Sequence, residues 1–560
     1  MRPIPFAAVA VLLTCLTACA PRSETDAALT ARAGAPLFTG MGEFHRPIDT
    51  RDPGAQRYFD QGMVLAFGFN HAESIRSFRA AQKLDPACAM CFWGEALATG
   101  PNINVTAKGK AIMSPDEQRA AWAALTRAQE LAASKPEKER DLIAALATRY
   151  AAEPVEDRTA LDHAYAAALG ALVAKYPDDD DIAALYGEAW MNTMPWDYWS
   201  DATTPRPEIA PVIAKLEETL ARSPRHPLAL HLYIHAMEAS ATPEKAEKAA
   251  DALYPLVPGS GHLVHMPAHI YWRVGRYHDA AEANVQAAKI DEEYIRQCNA
   301  QGFYPAMYYP HNIHFLWSAA SMQGQSKVAI EAARKLADNV NLGQIDQYPT
   351  VEFFKTIPLL SLVQFGHWDE ILQEAQPRAD LGYSNAIWRY ARGMALANTG
   401  KVAGAKTELA ALVALKANPK VMTLDGNDYP ASALLQIAED LLRGEIALAS
   451  KDMPTAIAKF TAAVAGQDAL PYTEPPFWYY PTRQSLGAAL LEAGRAPEAQ
   501  AVYEKDLQQY PHNGWSTLGL ALALDAQGKT TEAARHREHF TTAWQFADIE
   551  LQGSRIPMRF

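Results

Sequence analysis

Two pairs of histidines offer the strongest chemistry in this sequence. His231 and His235 are four residues apart, and so are His265 and His269. On a helix that spacing puts both rings on one face, one turn apart. Each histidine of the second pair follows its counterpart by 34 residues. If the two helices pack about 8–10 Å apart, imidazoles at equivalent positions can reach a shared ion with bonds of about 2.0–2.1 Å. His314 follows in the next segment, and Glu188 precedes the pairs with a carboxylate. His231, His235, His265, His269, His314 and Glu188 are therefore the candidate metal ligands. A nitrogen-rich set favours zinc, copper, nickel or iron over magnesium or calcium.

The elements that must position these residues are paired helices. A period of 34 is that of the tetratricopeptide (TPR) helix–turn–helix repeat. Counting from Ala55, Tyr58, Gly62, Ser74, Phe78, Ala81 and Pro86 fall at positions 4, 8, 20, 24, 27 and 32. These resemble the TPR consensus. Small residues let helices cross closely, aromatics fill the space between repeats, and proline ends the second helix. The pattern returns at Ala386, Ile437 and Tyr480, where Gly393, Gly444 and Gly487 occupy the close-crossing position. No run shows sustained strand alternation. The expectation is an all-α, TPR-type solenoid, a right-handed superhelix of helix–turn–helix repeats. Two insertions interrupt it, after Gly94-Glu95-Ala96 and after Gly187-Glu188-Ala189.

The resemblance to TPR proteins also implies which positions line the concave face: 2, 5, 9, 12 and 13 of each first helix. His231 and His265 take position 5, and His235 and His269 take position 9. Glu238 and Trp272 take 12, Arg273 takes 13, and His262 and His311 take 2. His314 takes 5, Glu95 and Glu188 take 9, and Asn192 takes 13. Glu95, Asn192, Glu238, His262, Trp272, Arg273 and His311 are thus expected beside the ligands in a binding groove. Pro267 falls inside one of these helices and should bend it.

The N-terminus carries Arg2, an apolar run from Phe6 to Leu16, and small residues before Cys19. This is a secretory signal, and Leu16-Thr17-Ala18-Cys19 resembles the bacterial lipobox. Residues 1–18 are expected to be a lipoprotein signal peptide, and 19–36 a lipidated Cys19 with a flexible tether. An N-terminal solenoid with loop insertions and the histidine groove is expected over 37–380, and further repeats with a capping helix over 381–560. Ala20 follows the lipidated cysteine. In the familiar lipoprotein sorting rule that implies an outer-membrane anchor facing the periplasm. Cys88 and Cys91 form a CxxC at a helix start and read as a disulfide or redox pair, with no second pair to complete a zinc site.

The net charge of −13 argues against a nucleic-acid partner, which needs a basic face. Taken whole, the chain after its leader resembles a group of bacterial secreted TPR proteins. They share runs such as HLVHMPAHIYWRVGRYHDA, YYPHNIHF and EPPFWYYPTRQSLGAALL. That resemblance implies the fold and carries no activity. The expected function is a lipid-anchored scaffold whose groove holds a transition metal, a peptide or protein partner, or both. The alternative is a metalloenzyme, a hydrolase or oxidase, with Glu95, Glu188 or Glu238 as acid/base.

Overall fold

The computed structural model describes residues 24–107, 110–300 and 302–556. The leader and Cys19 lie outside the described residues. Consecutive antiparallel helices pack in pairs along the chain: Pro53–Phe67 on His71–Leu84, Thr159–Lys175 on Asp180–Thr193, Gly382–Asn398 on Val402–Leu415, and Ala431–Ala449 on Met453–Asp468. The fold is an all-α, TPR-type solenoid. The extended pairings among the described residues are two short hairpins, Thr106–Ala107 with Lys110–Ala111 and Trp199–Asp201 with Thr204–Pro205. Both sit in the two insertions. No helix among the described residues is long and apolar enough to cross a membrane.

The repeat consensus explains how the helices cross. Phe78 is fully buried, and its ring fills the space left by two glycines. A Cβ on Gly62 would lie 2.8 Å from that ring, and one on Gly94 only 2.3 Å from it. Tyr503 does the same between Gly487 and Gly519, where a Cβ would lie 2.4 Å away in each case. Burying such an aromatic stabilises the fold by about 1.5–3 kcal/mol, and any side chain opposite would force the helices apart.

Two expectations need correction. Residues 19–36 were expected to be a flexible tether, yet Asp26–Ala33 is a helix. Thr25 caps it, Leu29 and Ala33 bury their side chains, and Arg32 pairs with Asp52. The break in the apolar core also falls earlier than residue 380. One cluster runs from Leu29 to Met322 and takes in Tyr510, and the other runs from Ala288 to Ala533.

The solenoid closes on itself. The helix Pro227–Met237 packs against Pro53–Phe67, and Gly259 donates its backbone N–H to the Gly40 carbonyl at 2.8 Å. The C-terminal repeats return to the middle of the chain, where Trp515 Nε1 donates to the Ser321 carbonyl at 3.1 Å. Asp548 accepts from Ser326 N at 2.7 Å. The terminal segment thus docks along the body.

Candidate metal centre

Each histidine pair sits on a helix whose start is fixed locally. His226 caps Pro227–Met237 by accepting from Ala229 N, and Pro227 occupies the first turn, where it loses no helical bond. The second pair spans a break: Gly261–His265 ends at Met266, and Pro267–Arg273 follows. Met266 keeps right-handed helical angles (φ −50°, ψ −40°). The proline therefore removes a backbone bond without turning the chain, and His265 and His269 stay on one face. Their Nε2 atoms are 3.0 Å apart. Two ligands about 2.1 Å from one ion, at roughly 90–110° to each other, would be separated by about 3.0–3.4 Å.

Six imidazoles form one contiguous cluster. Ring centroids are 4.8 Å apart for His231–His235, 5.0 Å for His231–His262, 5.8 Å for His262–His265 and 4.8 Å for His265–His311. His235 and His269 close the ring at 5.7 Å. Ligand atoms come within 4.8 Å of one another in three groups: His231/His235/His262, His265/His269/His311 and Glu238/His269/Glu474. All are buried except His311, which is half-buried.

The outer hydrogen bonds set the tautomers. His231 Nδ1 lies 2.6 Å from the Phe67 carbonyl oxygen, His235 Nδ1 3.1 Å from Glu238 Oε1, and His265 Nδ1 2.7 Å from Asn284 Oδ1. Each acceptor fixes the proton on Nδ1 and turns Nε2 inward, the arrangement that orients metal-bound histidines. His231 Nε2, His235 Nε2 and both nitrogens of His262 have no hydrogen-bond partner in the structure, though all are buried. Unpaired buried polar atoms are costly and call for an explanation.

Burial and then neighbouring imidazoles hold His231, His262, His265 and His311 well below the usual histidine pKa. Burial also lowers His235, against the pull of Glu238. These five rings are neutral and ready to coordinate. His269 goes the other way. Burial lowers it, but Glu238 and Glu474 outweigh that and raise it to about 10. Its Nδ1 lies 2.9 Å from Glu238 Oε2 and 3.1 Å from Glu474 Oε2. Tyr472 donates to the other Glu474 oxygen.

Two aromatic residues with left-handed backbones flank His235: Phe69 (φ 55°) and Trp196 (φ 65°). Bulky residues rarely adopt that region, and strain of this kind gathers at functional sites. Phe69 lies 4.7 Å from His231 and 5.3 Å from His262 by ring centroids. Trp196 packs edge-on to His235 at 5.2 Å and is 39% exposed. Its Nε1 donates to the Ile103 carbonyl at 2.8 Å, so the two insertions meet over the cluster.

The structure does not bring every sequence candidate to this place. His314 stacks on Trp317 at 5.2 Å and faces Phe353 and Phe354, where burial lowers its pKa to about 3. Glu188 accepts from Asn192 at 3.2 Å, and burial raises its pKa against the pull of Arg149. Glu95 is tied to Arg79 at 2.7 Å and Gln82 at 2.6 Å. Trp272 donates to Ser318 at 3.2 Å and packs on Tyr277 and Tyr510. Arg273 clamps the carbonyls of Glu238 and Ser240 and lies over Tyr472. Cys88 and Cys91 form a disulfide at the start of Ala89–Thr99.

The expected groove is covered at the histidines, of which His311 alone in the cluster is half-buried. The backbone at Phe67–Phe69 covers one side and the Tyr472–Glu474 segment another. Sequence reasoning missed Phe67, Asn284 and Glu474 as partners of the rings. Asn284 carried a signal, being a polar residue among the alanines Ala280, Ala281, Ala283, Ala287 and Ala288 on the buried face of its helix. Glu474 had only its place in the aromatic, proline-rich run, which reads as packing. A surface groove of about 970 Å³ opens elsewhere, lined by Arg46, Lys138, Asp179, Asp181 and Arg225 among others.

No protein-family model and no curated protein matches this sequence. Among solved structures, the APC/C hetero-tetramer Cut9-Hcn1 is similar at 14% identity over 89% of this chain and 76% of that one, with a TM-score of 0.29. Human IFIT1, a dimer with m7Gppp-AAAA, is 13% identical over 89% and 91%, at a TM-score of 0.34. Yeast Tom70 is 13% identical over 88% and 93%, at 0.27. Likenesses this weak carry no argument about ligand or partner. The solenoid rests on this chain's own helix pairs.

Proposed function

We propose that this chain is a metal-binding helical-repeat scaffold, holding a transition metal among its buried histidines. The observation that carries the reading is the convergence of His231, His235 and His262, three buried rings that offer ligand atoms within 4.8 Å of one another and leave ring nitrogens unpaired. Neutral imidazoles, with His231 and His235 oriented through Nδ1, suit zinc, copper, nickel or iron. Of the carboxylates put forward as acid/base for an enzyme, Glu95 and Glu188 are engaged away from the cluster, and both oxygens of Glu238 face imidazoles. That favours the scaffold. With the ion inside the body, a peptide or protein partner would meet the outer and rim surfaces of the solenoid. The lipobox-like run ending at Cys19 supports an anchored protein of the outer membrane, facing the periplasm.

The test is elemental analysis of the full chain, purified without chelator or affinity-tag histidines, beside a His265→Ala/His269→Ala variant. Near-stoichiometric metal that is reduced in the folded variant supports the reading. Metal-free protein in both cases, even after incubation with zinc and with copper, overturns it.

A further inference from the structure

The histidines divide by repeat. His231 and His235 lie on one helix, and their third partner, His262, lies at the start of the next repeat. His265 and His269 lie on that next helix pair, and their third partner, His311, opens the repeat after it. His231 corresponds to His265, and His235 to His269. His262 and His311 share the second position of their repeats, counted from Gly261 and Pro310. The same trio of repeat positions therefore occurs twice, one repeat apart.

Resting on the metal reading above, we infer that this chain holds a two-ion centre: one three-histidine site at His231/His235/His262 and a second at His265/His269/His311. The supporting bonds are duplicated along with the ligands. His231 and His265, at equivalent positions, each direct Nδ1 to a fixed acceptor, the Phe67 carbonyl and the Asn284 amide oxygen. The Asn284 amide is itself locked, because its Nδ2 donates to the Ala280 carbonyl at 2.7 Å. His235 and His269, also equivalent, both direct Nδ1 to Glu238. One Glu238 oxygen lies 3.1 Å from His235 Nδ1 and the other 2.9 Å from His269 Nδ1. A single carboxylate thus orients one ligand of each site and joins the two.

One ion could not use all six rings in the way the structure presents them. A tetrahedral ion takes four ligands, and the two groupings made only of imidazoles contain three rings each. Three imidazoles per ion, with His269 giving up its Nε2 proton to bind, leave a position on each for water or a small ligand. The chemical class of occupant is an imidazole-preferring first-row ion. Zinc and copper are the two to compare, because nitrogen-only donors bind both and the wider series ranks copper higher.

The experiment counts ions per folded chain. Full-length protein and its His262→Ala and His311→Ala variants are loaded with zinc, and separately with copper or with cobalt as a visible probe. They are dialysed, and the metal is measured against protein. The expected result is two ions in the wild type and one in each variant, with cobalt absorbance halved. His262→Gln and His311→Gln keep side-chain bulk and should give the same counts, so they decide the matter if an alanine variant fails to fold. One ion in the wild type, lost in both variants, means a single shared ion. That overturns the two-ion inference and leaves the metal reading standing. Two ions retained in both variants also overturns it, because the third ligands would be misassigned. No ion in the wild type overturns the metal reading and the inference together.

Discussion

Asn284 gives the cleanest test of how the second site is held. It is fully buried, and its only service to the cluster is to accept the His265 Nδ1 proton at 2.7 Å. Asn284→Ala removes that acceptor without touching a ligand or a charge. The His265 Nδ1–H is then buried without a partner, which costs about 1–3 kcal/mol. The ring is also freed to rotate away from the inward Nε2 orientation. Losing such an outer partner typically lowers metal affinity about 10–100-fold, or about 1.4–2.7 kcal/mol, in line with the hydrogen-bond figure. The loss should fall on the His265/His269/His311 site alone, since the Phe67 carbonyl and Glu238 orient the other. Asn284→Asp keeps an acceptor in place and should recover most of the affinity. The assay is competition against a chromophoric chelator, with far-ultraviolet circular dichroism to confirm folding. Affinity unchanged within about twofold in folded Asn284→Ala would refute the argument that this acceptor positions the ring.

Two further outcomes follow from other parts of the structure. Trp196 joins the two insertions over His235, so Trp196→Ala should speed removal of bound metal by a chelator. One lost hydrogen bond and one lost ring pair amount to about 1.5–2.5 kcal/mol, or roughly 10–70-fold in the rate of opening. Stopped-flow removal at the wild-type rate would refute the covering role. Asp506 is fully buried, and burial raises its pKa to about 7, against the pull of Ser516, Arg483 and Asn513 and with the push of Asp468. A folded pKa above the unfolded value means a contribution to stability that is complete below about pH 4 and is lost as pH rises through about 7, at most about 4 kcal/mol. Asp506→Asn should therefore gain on the wild type in thermal melts between pH 5 and 8, and parallel curves would refute the assignment.

What the sequence determined by itself was the local and the periodic. Small and aromatic residues 34 apart specify paired helices, because each repeat buries its apolar face only against its neighbour. The same period placed His231, His235, His265 and His269 at equivalent positions, and spacing alone put each pair on one helix face. Position in the repeat also flagged His262, His311 and Glu238, all of which the structure brings to the cluster. The pattern did not distinguish them from His314, Glu188 and Glu95, which fall at equally good positions and sit elsewhere.

That choice belongs to the tertiary structure. How far a solenoid winds depends on small rotations summed over many helix contacts, and no single residue sets them. Here the winding brings Pro53–Phe67 against Pro227–Met237. It carries the Phe67 carbonyl to His231 and returns Glu474 to His269 across 205 residues of sequence. Those approaches turn a groove into an enclosed cluster, where burial lowers five of the rings and two carboxylates raise His269. A helical period fixes which face a side chain is on. Only the closed superhelix fixes what that face meets.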